Sequence, residues 1–405
     1  MSHNTDKQQA IDSSQSSTIL ITCSPGLVEY VSMELREFGY EPGMTHSTGL
    51  ELQGDLRDAM YLNLHLRTAN NVLFLLKHFE CNSPDELYRN VAEVPWEQII
   101  SPEEYLSVVG KIDTPSIDNT MYASLKAKDA IVDRIAGRTG SRPDSGKDRD
   151  NVVIQIYWKA GNCWLYLNTS GRKISDRGYR RMPHKAPLRE SLAAAIIMAT
   201  DYDGSQPLVC PMCGSGTLPI EAALIASRRP AGLLRDNYSF MHVKYFDRDA
   251  WQEMRQTALK KSKTRGGKAA FRPAPILATD IDADAVEAAR KNAMTAGVDH
   301  LIDFDVCDFA ATTIPAEPGI IILNPEYGMR MGEKNRLRKT YNRIGDFFKQ
   351  KCPGYTGYIF TGNLDLAKAV GLRTSRRLPF FNAGIECRLL KYELYAGSRK
   401  NRTEP

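Results

Sequence analysis

The 405-residue chain has no apolar run approaching the ~18 residues of a membrane span, so no transmembrane helix is expected. Residues 1–17 are polar, rich in Ser and Gln, and lack the apolar stretch of a secretory signal. They read as a disordered tail and the protein as cytoplasmic. Histidine is scarce: there are seven, with no His-x-x-x-His pair, which argues against a His-based metal centre or nucleophilic triad. Eight Cys are scattered without a disulfide pattern and read as reduced thiols. Cys210 and Cys213 form a Cys-x-x-Cys, but no second ligand pair lies at zinc spacing, so no metal is expected. A strong charge bias is missing too. The 53 basic residues nearly balance 48 acidic ones, and a net charge of +5 announces no nucleic-acid partner by itself. Local basic clusters, Arg172 to Arg189 and Lys260 to Lys268, matter more.

The apolar content of 42% and charged content of 25% are those of a globular protein, and the length predicts two or three domains. The N-terminal half reads as α+β. A strand in "TILIT" is followed by the amphipathic spacing of Leu27, Val28, Val31, Leu35 and Phe38, then a glycine stop at Gly39. After residues 172–184 the rhythm changes to alternating strands and helices, which predicts a parallel sheet with right-handed crossovers.

Four strand ends in this second half carry the chemistry. "CPMCGSGTLPIEAAL" follows a strand and opens a helix; Gly214 and Gly216 permit a tight turn, and free helix N–H groups face the loop, where Thr217 can help satisfy them. The next strand ends in Asp280, well placed to accept from a ribose diol. The long spacing between these motifs is assigned to the basic segment 255–272, read as a charged loop or an RNA contact. Asp308 follows a third strand and suits either an adenine amino group or a turn cap. Finally, "GIIILNPEYG" ends a buried strand in Asn324-Pro325-Glu326-Tyr327. An amide and an exposed carbonyl can hold a planar amine, and an aromatic can stack on a base.

These residues, "PMCGSGT", "ATDID" and "NPEYG", resemble the class I S-adenosylmethionine-dependent amino-methyltransferases with an Asn-Pro-Pro-Tyr motif. Further stretches, among them "TCSPGLVEYVSMEL", "LNTSGRKISDRGYRRMPHKAPLRESLAAA" and "LPFFNAGIECRLLKYEL", resemble the bacterial THUMP-domain methyltransferases that modify guanine N2 of 23S ribosomal RNA. The resemblance implies a Rossmann-like class I catalytic domain preceded by an α+β ferredoxin-like and THUMP RNA-binding region. The expected divisions are a tail at 1–17, a ferredoxin-like region at 18–69, THUMP at 70–172, a linker at 173–184, the methyltransferase domain at 185–397 and a tail at 398–405. It implies contacts to S-adenosylmethionine from Pro211, Cys213, Gly214, Ser215, Gly216, Thr217, Asp280, Ile281, Asp308, Phe309 and Asn324. Asn324, Pro325 and Tyr327 would meet the target guanine. The chain resembles the form with one catalytic domain. Two positions depart from the pattern: Cys210 replaces an Asp, and Glu326 replaces the second Pro. A methyltransferase of transfer RNA guanine N2 shares the same motifs, and a decayed RNA-binding or ribosome-assembly factor is the non-enzymatic alternative. A thiouridine synthase is disfavoured because no Ser-Gly-Gly-x-Asp-Ser-type loop is present.

Overall fold

The computed structural model describes residues 15–117, 119–182, 187–262, 264–265, 268–269, 273–327 and 334–395. Nearly all of the expected N-terminal tail, the C-terminal tail, the end of the expected linker and most of the basic stretch beyond Ser262 lie outside the described residues. The chain divides into two units: residues up to 23, 31–174 and 235–257 form the first, and 24–30, 175–234 and 258 onward form the second.

The first unit is built on eight strands: Ser17–Cys23 (β1), Thr45–His46 (β2), Gly49–Gly54 (β3), Ala69–Glu80 (β4), Leu106–Asp113 (β5), Ser145–Gly146 (β6), Val152–Lys159 (β7) and Asn162–Asn168 (β8). They lie in one sheet, in the order β2-β3-β1-β4-β8-β7-β5-β6. Its helices are Val28–Glu37 (α1), Leu56–His65 (α2), Pro84–Ala92 (α3), Trp96–Ile99 (α4) and Thr120–Thr139 (α5), with the first turn of α1 counted in the second unit. β4 pairs antiparallel with β1 on one edge and β8 on the other, so the sheet runs unbroken past residue 70. Helix α5 connects the parallel strands β5 and β7 and stops at Gly140, whose φ of 76° suits a residue without a Cβ. Buried Asn63 on α2 donates to Thr169 Oγ1 (2.8 Å) and accepts from Ser170 Oγ (2.6 Å), which fixes the chain leaving β8.

Residues 235–257, placed in sequence between two strands of the second unit, pack here. Tyr238 stacks on Phe240 at 5.1 Å and meets Trp251 edge-on at 5.5 Å, and Ser239 Oγ accepts from the Val153 amide at 2.9 Å. The long spacing assigned above to a basic loop is therefore partly an aromatic segment of the first unit. The opening of that basic stretch is helical, not a loop.

The second unit contains Leu208–Pro211 (β9), the small hairpin Thr264–Arg265 (β10) and Lys268–Ala269 (β11), Ile276–Asp280 (β12), Ile302–Val306 (β13), Ile320–Leu323 (β14), Thr356–Thr361 (β15), Arg376–Asn382 (β16) and Ile385–Glu393 (β17). The helices that continue the chain are Glu190–Met198 (α6), Thr217–Ala226 (α7), Arg248–Ser262 (α8, counted in the first unit as far as Thr257), Ala283–Ala296 (α9), Lys334–Lys351 (α10) and Leu364–Lys368 (α11). The main sheet has the order β13-β12-β9-β14-β15-β17-β16. The first five strands are parallel and β17 runs antiparallel to both neighbours. All four residues of β14 are buried, as expected of a strand covered on both faces. Ile321 and Leu323 share a core with Tyr341, Ile344 and Phe348 of α10. Strand order reverses between β9 and β14, and in open α/β sheets ligands bind where that reversal occurs, beyond the carboxyl ends of the strands.

Candidate active site

The loop after β9 is shaped by three left-handed residues, Met212 (φ 59°), Gly214 (φ 55°) and Gly216 (φ 84°). Pro211 is the buried last residue of β9. The Cys213 amide donates to Thr279 O at 2.9 Å and the Gly214 amide to Asp280 Oδ2 at 2.9 Å, so the loop is latched to the end of β12. The other carboxylate oxygen, Asp280 Oδ1, accepts from the Asp282 amide at 3.1 Å. Each oxygen keeps a further lone pair. Gly216 caps α7, and a Cβ there would stand 2.8 Å from Ala289 Cβ on α9. At Gly214 a Cβ would meet nothing within 4 Å, so the loop is open on that side.

Ser215 and Thr217 are buried in this loop, but Thr217 does not cap the helix. Its hydroxyl accepts from Arg180 Nη2 at 3.1 Å. Asn292 on α9 donates to Ser215 O and accepts the Arg181 and Met182 amides, all at 3.1 Å. Beneath them, fully buried Arg177 forms a two-pronged pair with Glu221 of α7 (2.8 and 3.0 Å), and Tyr179 donates to the same carboxylate at 3.1 Å. Burial works against the Arg177 charge, but Glu221 more than offsets it and the guanidinium pKa rises. Part of the basic Arg172–Arg189 cluster thus serves the interior rather than a surface.

Cys210 is buried beside the loop, and burial raises its thiol pKa. Burial likewise raises that of Cys213, with the Asp280 charge adding to the effect. Both stay neutral thiols, and Cys210 brings no charge to the end of β9. Among the described residues no group of three or more His, Cys, Asp or Glu could hold a metal ion. No described helix is long and apolar enough to cross a membrane.

Asp308 caps a short turn by accepting from the Ala310 amide at 2.9 Å, and the same oxygen accepts from Arg343 Nη2 of α10 at 2.6 Å. Burial would raise its pKa, but these bonds hold it below the usual carboxylate range. Arg343 also lies over the ring of buried Phe309, 4.8 Å from its centre. Ile281 is 71% exposed beyond the end of β12, a large apolar side chain left open to solvent.

Beyond β14, Asn324 is partly buried, Pro325 buried, Glu326 exposed and Tyr327 half-buried. Asn324 Oδ1 is shielded from solvent and has no hydrogen-bond partner among the described residues. Glu326 pairs with Arg336 of α10 at 2.8 Å, two exposed side chains. Arg336 and Arg343 stand seven residues apart on α10 and bind acids from two successive strand ends. Sequence reading gave no individual role to Arg180, Asn292, Arg343 or Asn382, although Arg180 and Asn382 lie in stretches quoted for the resemblance.

A family model described as "RMKL-like, methyltransferase domain" matches residues 177–391. An "RlmL ferredoxin-like domain" matches 18–73 and a "THUMP domain" 81–168. A Synechocystis sp. protein named "Putative RNA methyltransferase slr0064" is 33% identical over 92% of this chain and 96% of its own length. A Syntrophotalea carbinolica protein named "Ribosomal RNA large subunit methyltransferase K/L" is also 33% identical over 92% of the chain, but the match spans 53% of that relative, about half its length. A crystal structure described as a possible methylase from Clostridium difficile 630 superposes with a TM-score of 0.82 at 28% identity, covering 95% of this chain and 100% of that one.

Proposed function

Because the chain belongs to the RMKL-like methyltransferase family, we propose that it transfers a methyl group from S-adenosylmethionine to the exocyclic N2 amine of a guanine in RNA, with large-subunit ribosomal RNA as the substrate. The observation that carries this reading is Asn324 Oδ1 at the carboxyl end of β14, shielded and without a partner among the described residues. A shielded acceptor without a donor costs about 1–3 kcal/mol, a cost that an incoming amine removes. The relative named as a large-subunit methyltransferase supports the choice of RNA.

The donor supplies a methyl group on a cationic sulfur. The chain supplies alignment, which dominates catalysis when the reaction is one displacement. Asn324 Oδ1 and the Pro325 carbonyl accept the two amine hydrogens and turn the nitrogen lone pair toward the methyl carbon. With the donor bound, the N2 lone pair would displace the thioether from the methyl carbon, and the proton released from N2 would pass to solvent. The open loop at Gly214 and the amino end of α7 form the cradle for the amino-acid portion, with Pro211, Cys213, Ser215, Gly216 and Thr217 around it. Asp280 accepts from the ribose hydroxyls beside Ile281. Asp308 and Phe309 border the adenine. Tyr327 stacks on the extruded guanine. The ferredoxin-like and THUMP regions supply RNA affinity.

Cys210 favours a second reading, an RNA-binding protein without turnover, because a neutral thiol replaces a carboxylate that would attract the cationic donor. Calorimetric titration with S-adenosylmethionine separates the two: saturable binding supports the enzyme, and none supports the binding protein. The substrate is tested by nucleoside mass spectrometry of 23S and transfer RNA after incubation with the protein and labelled donor. N2-methylguanosine in 23S RNA is expected. Label in transfer RNA alone, or as N6-methyladenosine, overturns the assignment.

A further inference from the structure

Tyr327 is held at its far end. Asn382 Nδ2 donates to the Tyr327 hydroxyl oxygen at 2.8 Å. Asn382 lies on the β16–β17 hairpin. We propose that Asn382 is a positioning residue that aims the Tyr327 ring at the target base, so that the ring face and not the hydroxyl does the recognition. This rests on the reading of Asn324–Tyr327 as the base-binding end.

Three observations support it. First, the anchor is stiff. Asn382 pairs with Ile385 across a two-residue turn of Ala383 (φ 47°) and Gly384 (φ 85°), the left-handed pair that matches strand twist and fixes register in a tight hairpin. Asn382 therefore cannot slide along Tyr327 without breaking the ladder. Second, the ring is seated. A Cβ on Gly362 would stand 3.0 Å from both Cδ2 and Cε2 of Tyr327, and Phe360 meets the ring edge-on at 6.4 Å and 79°. Third, the hydroxyl is occupied. The Asn382 amide donates to it, and burial raises its pKa despite that bond. It is thereby a poor proton acceptor for the amine, which leaves the ring as the group able to touch a base.

The test has two arms on the full chain. In protein labelled with 13C at tyrosine Cζ, the Tyr327 signal is identified by its loss in Tyr327→Phe. Asn382→Ala is expected to move that signal without RNA present; an unmoved signal overturns the anchor. In the second arm, Asn382→Ala lowers kcat for methyl transfer to a protein-free 23S transcript by about 10- to 100-fold, the scale of a small misalignment, while the KM for S-adenosylmethionine stays unchanged. Tyr327→Phe keeps the ring and loses the bond, so Asn382→Ala/Tyr327→Phe is expected to be no slower than Asn382→Ala alone. Losses that multiply overturn the idea. Asn382→Ser replaces the alanine variant should that fail to fold. If the wild-type chain methylates no RNA, the proposed function fails, and the spectroscopic arm still decides the anchor.

Discussion

The two sides of the reversal in the second sheet treat their polar groups in opposite ways. Around β9 and β12 the protein closes on itself. Asp280 takes two backbone amides, Asn292 bridges Ser215 to the chain at Arg181 and Met182, and Arg177 meets Glu221 in the dry interior. Beyond β14 an acceptor has no donor among the described residues, and the neighbouring aromatic is tethered by a hairpin distant in sequence. The difference separates a scaffold from a reacting edge. The closed side gains stability from its bonds, and the open side gives up stability so that something can bind.

The comparison breaks first at the closed side. Arg177→Ala strands the Glu221 carboxylate in the core and should cost about 3–5 kcal/mol in urea unfolding, whereas Arg177→Met with Glu221→Leu should recover much of it. Recovery would show that the pair is expensive to halve rather than intrinsically strong. Gly216→Ala is next, because its φ of 84° and the 2.8 Å approach to Ala289 both penalise a Cβ. A loss of about 1–3 kcal/mol is expected, with weaker donor binding by calorimetry.

Asp308 joins the two sides through α10, and its effect depends on pH. Its folded pKa lies below the ordinary value of 3.8, so the stability it contributes is present above about pH 4 and fades as pH falls through the folded value. Arg343→Ala should flatten that acid limb in unfolding measured from pH 5 to 2. The smallest effect is at Glu326. Its pair with Arg336 is 70% and 61% exposed, so Glu326→Gln should change stability by about 0–1 kcal/mol. A larger loss would move Glu326 into the working end of the strand.

Local signals made the closed side legible. Glycines at a strand–helix turn and an Asp at the next strand tip are read from neighbouring residues, and the structure latches those two strand ends together. The continuous apolar run of β14 and the motif at its end were equally plain. The supports of that motif were not. Asn382 reaches Tyr327 only because strands paired across the sheet bring them together, and no periodicity encodes such pairing. Arg177 misled for a related reason: a cluster of cations reads as surface until its buried acid, on a helix far along the chain, is known. The packing of residues 235–257 in the first unit was hidden in the same way, because Tyr238 and Ser239 find partners, Asn63 O and the Val153 amide, that precede them by many elements.

The most direct test of the account is Asn324→Ala, followed by two readings on one preparation. Calorimetry with S-adenosylmethionine should still show saturable binding. Single-turnover transfer of label to protein-free 23S RNA should fall by about 10²–10³-fold, as when a preorganised polar group at a reacting centre is removed. Turnover equal to wild type, with the donor still bound, would contradict the claim that the Asn324 amide beyond the end of β14 holds the reacting amine.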